Sequence, residues 1–249
     1  MAVGFLYPGH SAEDDYPRLE RLLAASGPPV RLPLVHTDIG EDAHRVDALL
    51  EMGSATRLAA GARQLAGTGV RAVVWACTSA SFVFGWAGAG EQVRELSRAA
   101  GLPASSTSFA FAHAVRALGV RRVAVAATYP RDVAERFAAF LAEAGVSVVS
   151  ALSSGIVTAA EVGTWGRDEV LRLARGGDHP DAEAVLLPDT ALHTAAWLGD
   201  LESALGKPVL TANQVTVWEG LRLIGAERSR PGLGALFAPV GAGDATGPR

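Results

Sequence analysis

The sequence predicts an α/β fold of two pseudo-symmetric halves, each a short parallel sheet flanked by helices, with the active site in the cleft between the halves. Short apolar runs alternate with longer segments of helical periodicity along the chain, as in parallel sheets that helices cover on both faces. Three segments of the first half recur, in order, in the second. The 249 residues, 49% of them hydrophobic, are enough to bury a large core.

Seven apolar runs predict the strands. Their apolar character is too continuous for a sheet with one face in water, so we expect helices on both sides of each sheet. The predicted strands are Val3–Tyr7, Val30–Val35, Arg71–Ala76, Arg122–Ala127, Val146–Val149, Ala184–Leu187 and Val209–Thr211.

Helical periodicity fills the segments between these runs. In Arg131–Ala144 the apolar residues Val133, Phe137 and Phe140 fall on one face, and Gly145 ends the segment. The other predicted helices are Tyr16–Ala25, Ala43–Ala66, Gln92–Ala100, Phe109–Leu118, Ala160–Ala174, Thr194–Leu205 and Val215–Leu223. This alternation of strand and helix predicts right-handed crossovers.

The internal repeat divides the chain. The matching pairs are Val3–Pro8 with Val123–Pro130, Ala72–Thr78 with Ala184–Thr190, and Gly101–Gly119 with Gly206–Gly225. We therefore expect a first half at 1–118 and a second at 119–212, with 213–249 packing back on the first half. The Gly- and Pro-rich tail from Pro231 is expected to wrap the surface or fray.

Charge and composition exclude several classes of protein. The net charge is −4 without a basic stripe, so no nucleic-acid partner is expected. The N-terminus lacks the basic segment of a signal peptide. The uncharged stretch 72–90 contains hydroxyls and glycines, which favours a buried strand and turn over a membrane span. We expect a cytoplasmic protein, and the sequence leaves a homo-oligomer open.

No cofactor or metal site is expected from the sequence. The six histidines, at positions 10, 36, 44, 113, 179 and 193, have no metal-ligand spacing, and the single cysteine makes a structural zinc site unpromising. Gly88-Ala-Gly90 lacks the third glycine of a dinucleotide-binding fingerprint.

Chemistry is expected where the repeat places polar groups at the carboxyl ends of strands, because ligands of open α/β sheets bind there. Cys77 ends one strand and Asp189 ends its counterpart, and each is followed by threonine. The hydroxyls of Thr78 and Ser79 beside the thiol suit an oxyanion or carboxylate. Cys77 also fits a small buried hydrophobe, and Asp189 also fits a cap of the next helix.

Tyr129 stands at another strand end, just before Pro130. The pattern favours an ordinary strand-end tyrosine, and the functional alternative is a phenol that donates to an anionic ligand.

Several segments resemble one known family over essentially the whole chain. They are Arg116–Tyr129, Asp132–Glu143, Thr78–Phe82, Gly101–Pro103, Gly206–Val209, Trp218, Leu221–Leu223 and Pro231–Gly234. The chain resembles the arylmalonate decarboxylases and maleate isomerases of the aspartate/glutamate racemase superfamily, whose fold is two pseudo-symmetric α/β halves.

The resemblance implies a small carboxylate substrate and roles for named residues. Thr78, Ser79 and Tyr129 match the hydroxyls that hold one substrate carboxylate, and Thr190 matches a further backbone donor. The other carboxylate would leave an apolar pocket as CO2, and a cysteine, here Cys77, would protonate the enediolate.

The chain also departs from the family pattern. The decarboxylases carry cysteine where this chain has Asp189 and glycine where it has Cys77, whereas the isomerases and racemases carry cysteine at both places. We therefore expect a cofactor-independent decarboxylase whose thiol acts from the opposite face. A racemase or epimerase using Cys77 with Asp189, a maleate-type cis–trans isomerase, and a non-catalytic carboxylate-binding protein are the alternatives.

Overall fold

Two parallel sheets organise the computed structural model, which describes residues 1–238. The first contains β1 (Gly4–Pro8), β2 (Leu34–Thr37), β3 (Val73–Trp75) and β4 (Ala104–Ser106) in the order β2-β1-β3-β4. The second contains β5 (Arg122–Ala127), β6 (Ser147–Ser153), β7 (Ala184–Leu187) and β8 (Val209–Thr211) in the order β6-β5-β7-β8. Every pairing is parallel. The identical order confirms the predicted fold of two pseudo-symmetric halves.

Helices connect the strands and cover both sheets. They are α1 (Asp15–Ala25), α2 (Val46–Met52), α3 (Ala55–Gln64), α4 (Ser79–Phe82), α5 (Gly85–Ala100), α6 (Thr107–Ala117), α7 (Arg131–Glu143), α8 (Ala159–Val162), α9 (Arg167–Gly177), α10 (Leu198–Leu205) and α11 (Ala212–Leu223), with a 3-10 turn at Ala235–Phe237. In the described part of the chain, no helix combines the length and the apolar character that a membrane crossing requires.

Three strands differ from the sequence prediction, and the smallest difference is that β6 continues to Ser153 beyond the predicted end at Val149. The second strand is Leu34–Thr37 and not Val30–Val35, because Pro33 interrupts the predicted run and β1 pairs with the residues after it. The sequence did not predict β4, since Ala104-Ser105-Ser106 is not an apolar run. It pairs with β3, and the two serines are buried.

Three predicted helices are shorter or broken. Ala43–Ala66 divides at Gly53, where any side chain would collide with the carbonyl of Ala80. Ala160–Ala174 divides between α8 and α9, and the helix predicted from Thr194 begins only at Leu198. In the last case, residues 194–197 form a turn instead of the first turn of the helix, and the side chain of Asp15 accepts hydrogen bonds from the N–H groups of Thr194 and Ala195.

The helix α11 packs mainly against α6 and also contacts β3 and β4 of the first sheet. The Oγ1 atoms of Thr107 and Thr216 lie 2.7 Å apart across this contact. The chain then continues to Leu236 and Phe237, whose side chains are buried. Residues 239–249, on which part of the predicted surface tail falls, lie outside the described residues. The predicted boundaries at 118 and 212 stay a proposal.

A buried carboxylate also joins α11 to the first half. Glu219 is fully buried and accepts hydrogen bonds from Ser105 (2.7 Å) and Arg222 (2.8 Å), and His113 Nδ1 lies 3.0 Å from its Oε1. Burial alone would raise the pKa of Glu219, but the bonds to Arg222 and His113 outweigh it and lower that pKa to about 2.

We expect this network to make folding stability depend on pH. Because the folded-state pKa of Glu219 lies below its ordinary value of 4.5, its contribution is complete above about pH 5 and is lost as the pH falls toward 2. The shift corresponds to about 3 kcal/mol. Urea unfolding of Glu219→Gln should give lower stability at neutral pH and a flatter acid profile than the parent chain.

The matched control is Glu135→Gln, which removes an exposed glutamate of α7. An acid profile of Glu219→Gln as steep as that of the control would contradict the assignment.

Candidate active site

The thiol and the carboxylate that the repeat pairs do meet at one cavity. Cys77 follows β3 and Asp189 follows β7, and both are 4% exposed. The cavity has a volume of about 40 Å³, room for a few water molecules. Its walls include Cys77, Ser79, Asp189, Thr190 and His44, and residues 8–11 of the loop after β1.

Cys77 is held as a neutral thiol. The backbone N–H of Ala80 donates to its Sγ at 3.4 Å, and the Ser79 Oγ lies 3.8 Å away. Burial raises the pKa of Cys77 to about 11, although these two contacts oppose the rise. A thiol with this pKa keeps its proton at neutral pH, so it is suited to donate one.

Asp189 is fixed by neighbouring donors rather than by a helix. Thr128 Oγ1 donates a hydrogen bond to its Oδ2, and the N–H of Ala191 donates to its Oδ1 at 2.9 Å. The bond to the residue two positions on closes a local turn. Because the next helix begins only at Leu198, Asp189 does not cap it.

His44 is the site residue that sequence reasoning missed. It is 7% exposed, lies in the segment before α2, and places Nε2 4.0 Å from Oδ2 of Asp189. Its Nδ1 lies 3.0 Å from the carbonyl oxygen of Ile156, which fixes the tautomer with the proton on Nδ1. Its ring also packs edge-on against Tyr129 at 4.8 Å. Histidine spacing gave no signal, because the partners come from the other half of the chain.

At 4.0 Å, the Nε2 of His44 and the Oδ2 of Asp189 are too far apart for a direct hydrogen bond. The two side chains nevertheless line the same cavity.

Thr78 and Tyr129 lie behind the cavity wall. The Tyr129 hydroxyl donates to the carbonyl of Pro188 at 2.8 Å, and burial raises the pKa of this phenol, with the charges of Asp189 and Cys77 adding to the effect. The Oγ1 of Thr78 is buried and has no hydrogen-bond partner among the described residues. An orphaned hydroxyl beside the thiol is a feature that ligand binding would explain. The ligand contacts expected of both residues stay a prediction.

The turn after Asp189 is anchored from the first half. The carbonyl of Thr190 accepts from Tyr7 (2.8 Å) and from the amide of Asn213 (3.1 Å). The Tyr7 hydroxyl in turn accepts from the N–H of Ala12 at 3.0 Å. These bonds fix the position of Thr190 at the cavity, whereas its expected role as a backbone donor stays a prediction.

Sequence comparison identifies the family to which this arrangement corresponds. The family model described as arylmalonate decarboxylase matches residues 52–237. The chain belongs to the arylmalonate decarboxylase family. The arylmalonate decarboxylase of Bordetella bronchiseptica is 35% identical over 179 residues, which cover 71% of this chain and 75% of that protein.

Solved structures of two kinds share the fold. One is a double mutant of arylmalonate decarboxylase, glycine to cysteine and cysteine to serine, in its liganded form. It has a TM-score of 0.80 and 30% identity, covering 95% of this chain and 98% of that one. A cysteine-to-alanine maleate isomerase from Pseudomonas putida S16 with maleate has a TM-score of 0.88 over 96% and 98% of the two chains. Its identity is 19%, so it supports the fold alone.

These relatives are enzymes of two classes, a carbon–carbon lyase and an isomerase. The similar proteins are therefore enzymes, and the comparisons do not choose between the two reactions.

The neutral state of Cys77 leads to a direct test. Because its pKa is about 11 and the ordinary value is 9.0, the folded chain should contain about 100-fold less thiolate near pH 8 than the unfolded chain. Iodoacetamide should therefore modify the folded protein at least that much more slowly than the protein in urea, as measured by mass spectrometry. Since the chain contains one cysteine, every modified molecule reports on Cys77. Equal rates would contradict a buried, protonated thiol.

Proposed function

We propose that the protein is a decarboxylase of substituted malonates or similarly activated carboxylic acids, and that Cys77 supplies the proton. The carbon–carbon bond to one carboxylate breaks, CO2 leaves, and the electron pair stays on the substrate as an enediolate. The thiol of Cys77 then protonates the α-carbon, and solvent restores the proton to the sulfur. The chemistry calls for no metal or organic cofactor.

The observation that carries the proposal is the buried, protonated thiol at a shared cavity. A general acid must hold its proton until charge develops on the substrate, and the pKa of about 11 for Cys77 meets this condition. The Ser79 hydroxyl beside it and the orphaned hydroxyl of Thr78 are candidate donors to the carboxylate that remains. Donors aimed at developing negative charge are commonly the largest catalytic contribution.

The arrangement of the thiol also supports the proposal. The resemblance implies glycine in the decarboxylases at the position of Cys77 and cysteine at the position of Asp189. The liganded double mutant gains a cysteine in place of a glycine and loses one to serine, so the fold accepts a thiol relocated in this way. We propose that this chain carries the relocated thiol naturally, and that protonation from this side gives the opposite configuration.

The hydrogen bonds to Asp189 reduce a difficulty for an anionic substrate. A free carboxylate beside the substrate would repel it, but Thr128 and Ala191 each donate a hydrogen bond to an oxygen of Asp189. These donors partly offset the negative charge that faces the cavity.

We expect decarboxylation without added metal or cofactor when the purified protein is incubated with a panel of arylmalonates in D2O. Chiral chromatography and mass spectrometry should detect a single enantiomer of the deuterated product. Cys77→Ala should reduce the rate by about 10²–10⁴-fold, because it removes the proton donor.

Ser97→Ala is a matched control, since Ser97 lies on α5 outside the cavity and bonds the carbonyl of Leu102. Racemic product, or full activity in Cys77→Ala, would contradict the role of Cys77. No turnover on the panel, with carboxylate binding retained in Cys77→Ala, would instead favour a binding protein.

A racemase or epimerase is the second candidate, and the presence of Cys77 and Asp189 at one cavity favours it. These two acid–base groups come from opposite halves of the chain, as a two-base mechanism requires. A chiral 2-substituted acid should then exchange its α-hydrogen with D2O in both enantiomers without CO2 release. The Asp189→Asn variant should lose α-hydrogen exchange in one enantiomer and keep it in the other. CO2 release without exchange would exclude this candidate in favour of the decarboxylase.

A further inference from the structure

Three potential metal ligands converge beside the cavity, and one of them, His10, also lines it. They are His10 and Glu13 in the loop between β1 and α1, and His36 on β2. The Nδ1 of His10 lies 3.1 Å from Oε1 of Glu13, and the Nε2 of His36 lies 3.6 Å from the same oxygen. One ligand atom from each residue falls within 4.8 Å of the other two.

These separations match those around a small divalent ion. Nitrogen and oxygen ligands bind Zn²⁺ at about 2.0–2.2 Å, so two ligands of a tetrahedral ion lie about 3.3 Å apart. The distances of 3.1 and 3.6 Å bracket that value. Two imidazoles with one carboxylate form a donor set typical of first-row transition metals.

Hydrogen bonding among the three residues does not account for the cluster. The Nε2 of His36 is buried and has no hydrogen-bond partner among the described residues. The hydrogen bond between His10 and Glu13 satisfies one histidine, whereas the Nε2 of His36 stays 3.6 Å from the same oxygen, beyond hydrogen-bond distance. A metal ion would instead bind all three ligand atoms at once, including the Nε2 of His36.

The carboxylate is already oriented for this role. The backbone N–H of Ser11 donates to Oε2 of Glu13 at 2.7 Å, which leaves Oε1 directed at the two histidines. Bonds of this kind fix metal-binding carboxylates in position.

We propose that His10, Glu13 and His36 form a site for a divalent transition-metal ion, of which Zn²⁺ is the best fit. Three protein ligands leave a fourth position for water. The ion connects the loop after β1 to the edge strand β2, and this loop contributes Pro8, Gly9, His10 and Ser11 to the cavity wall.

The proposed site departs from the sequence prediction of no metal, because only the pairing of β1 with β2 brings His36 to the other two ligands. It is independent of the reaction proposed above.

The test uses the tag-free full-length chain, freed of metal by chelation. Titration with Zn²⁺ in a calorimeter should reveal one ion per chain with micromolar or tighter affinity, and Co²⁺ should give the visible absorption of a four-coordinate site. His36→Ala and Glu13→Gln should each weaken binding by about 100-fold or more and abolish the Co²⁺ spectrum.

His179→Ala is the matched control, since His179 is exposed to a similar degree, 39% against 37%, and also lies beside a carboxylate, that of Asp181. It should bind both ions like the parent chain. Circular dichroism of each metal-free variant separates loss of binding from loss of folding. Absence of binding in the parent chain would overturn the proposal, and so would unchanged binding in a folded His36→Ala variant.

Discussion

The turn that follows β7 is held by a buried carboxylate from the other half of the molecule, and the geometry of the site depends on this contact. Asp15, at the start of α1, accepts hydrogen bonds from the N–H groups of Thr194 (2.9 Å) and Ala195 (3.2 Å) and from the amide of Asn213 (3.1 Å). Burial raises the pKa of Asp15 even though these donors oppose the rise. A buried carboxylate without such donors would be strongly destabilising, so the backbone of this turn has little freedom.

The contact fixes how the two halves face each other. Asp189 precedes the anchored turn and Cys77 belongs to the half that supplies Asp15, so their relative position follows from bonds outside the cavity. Gly53 plays a comparable part near Cys77. Because it has no side chain, the end of α2 can approach the carbonyl of Ala80 closely. Substitutions well away from the chemistry are therefore able to move the two groups apart.

The fold and half of the site were accessible from sequence because both depend on local patterns. Apolar runs identified six strands and part of a seventh, β2, and the internal repeat placed Cys77 and Asp189 at equivalent strand ends. The strand Ala104–Ser106 was not accessible, since its small polar residues are buried through pairing with β3 and not through their own hydrophobicity.

His44 and His36 illustrate a second reason why part of the structure could not be predicted from the sequence. The bonding partner of His44 lies 112 residues away along the chain, and His36 meets His10 only through the register of two strands. No spacing rule encodes such encounters, because they arise from tertiary structure alone. Conversely, the hydroxyls of Thr78 and Tyr129 were identified from the sequence. Only the structure shows that Tyr129 donates to Pro188 and that the Thr78 hydroxyl has no hydrogen-bond partner among the described residues.

The burial of Cys77 has a consequence for the durability of the protein. Peroxide attacks the thiolate form of cysteine, and sulfenic acid formation is the first step of its oxidation. A sulfur that stays protonated and is 4% exposed offers very little of that form. The environment that keeps this thiol protonated thus also shields it from oxidative damage, so the protein should tolerate aerobic conditions without a reductant.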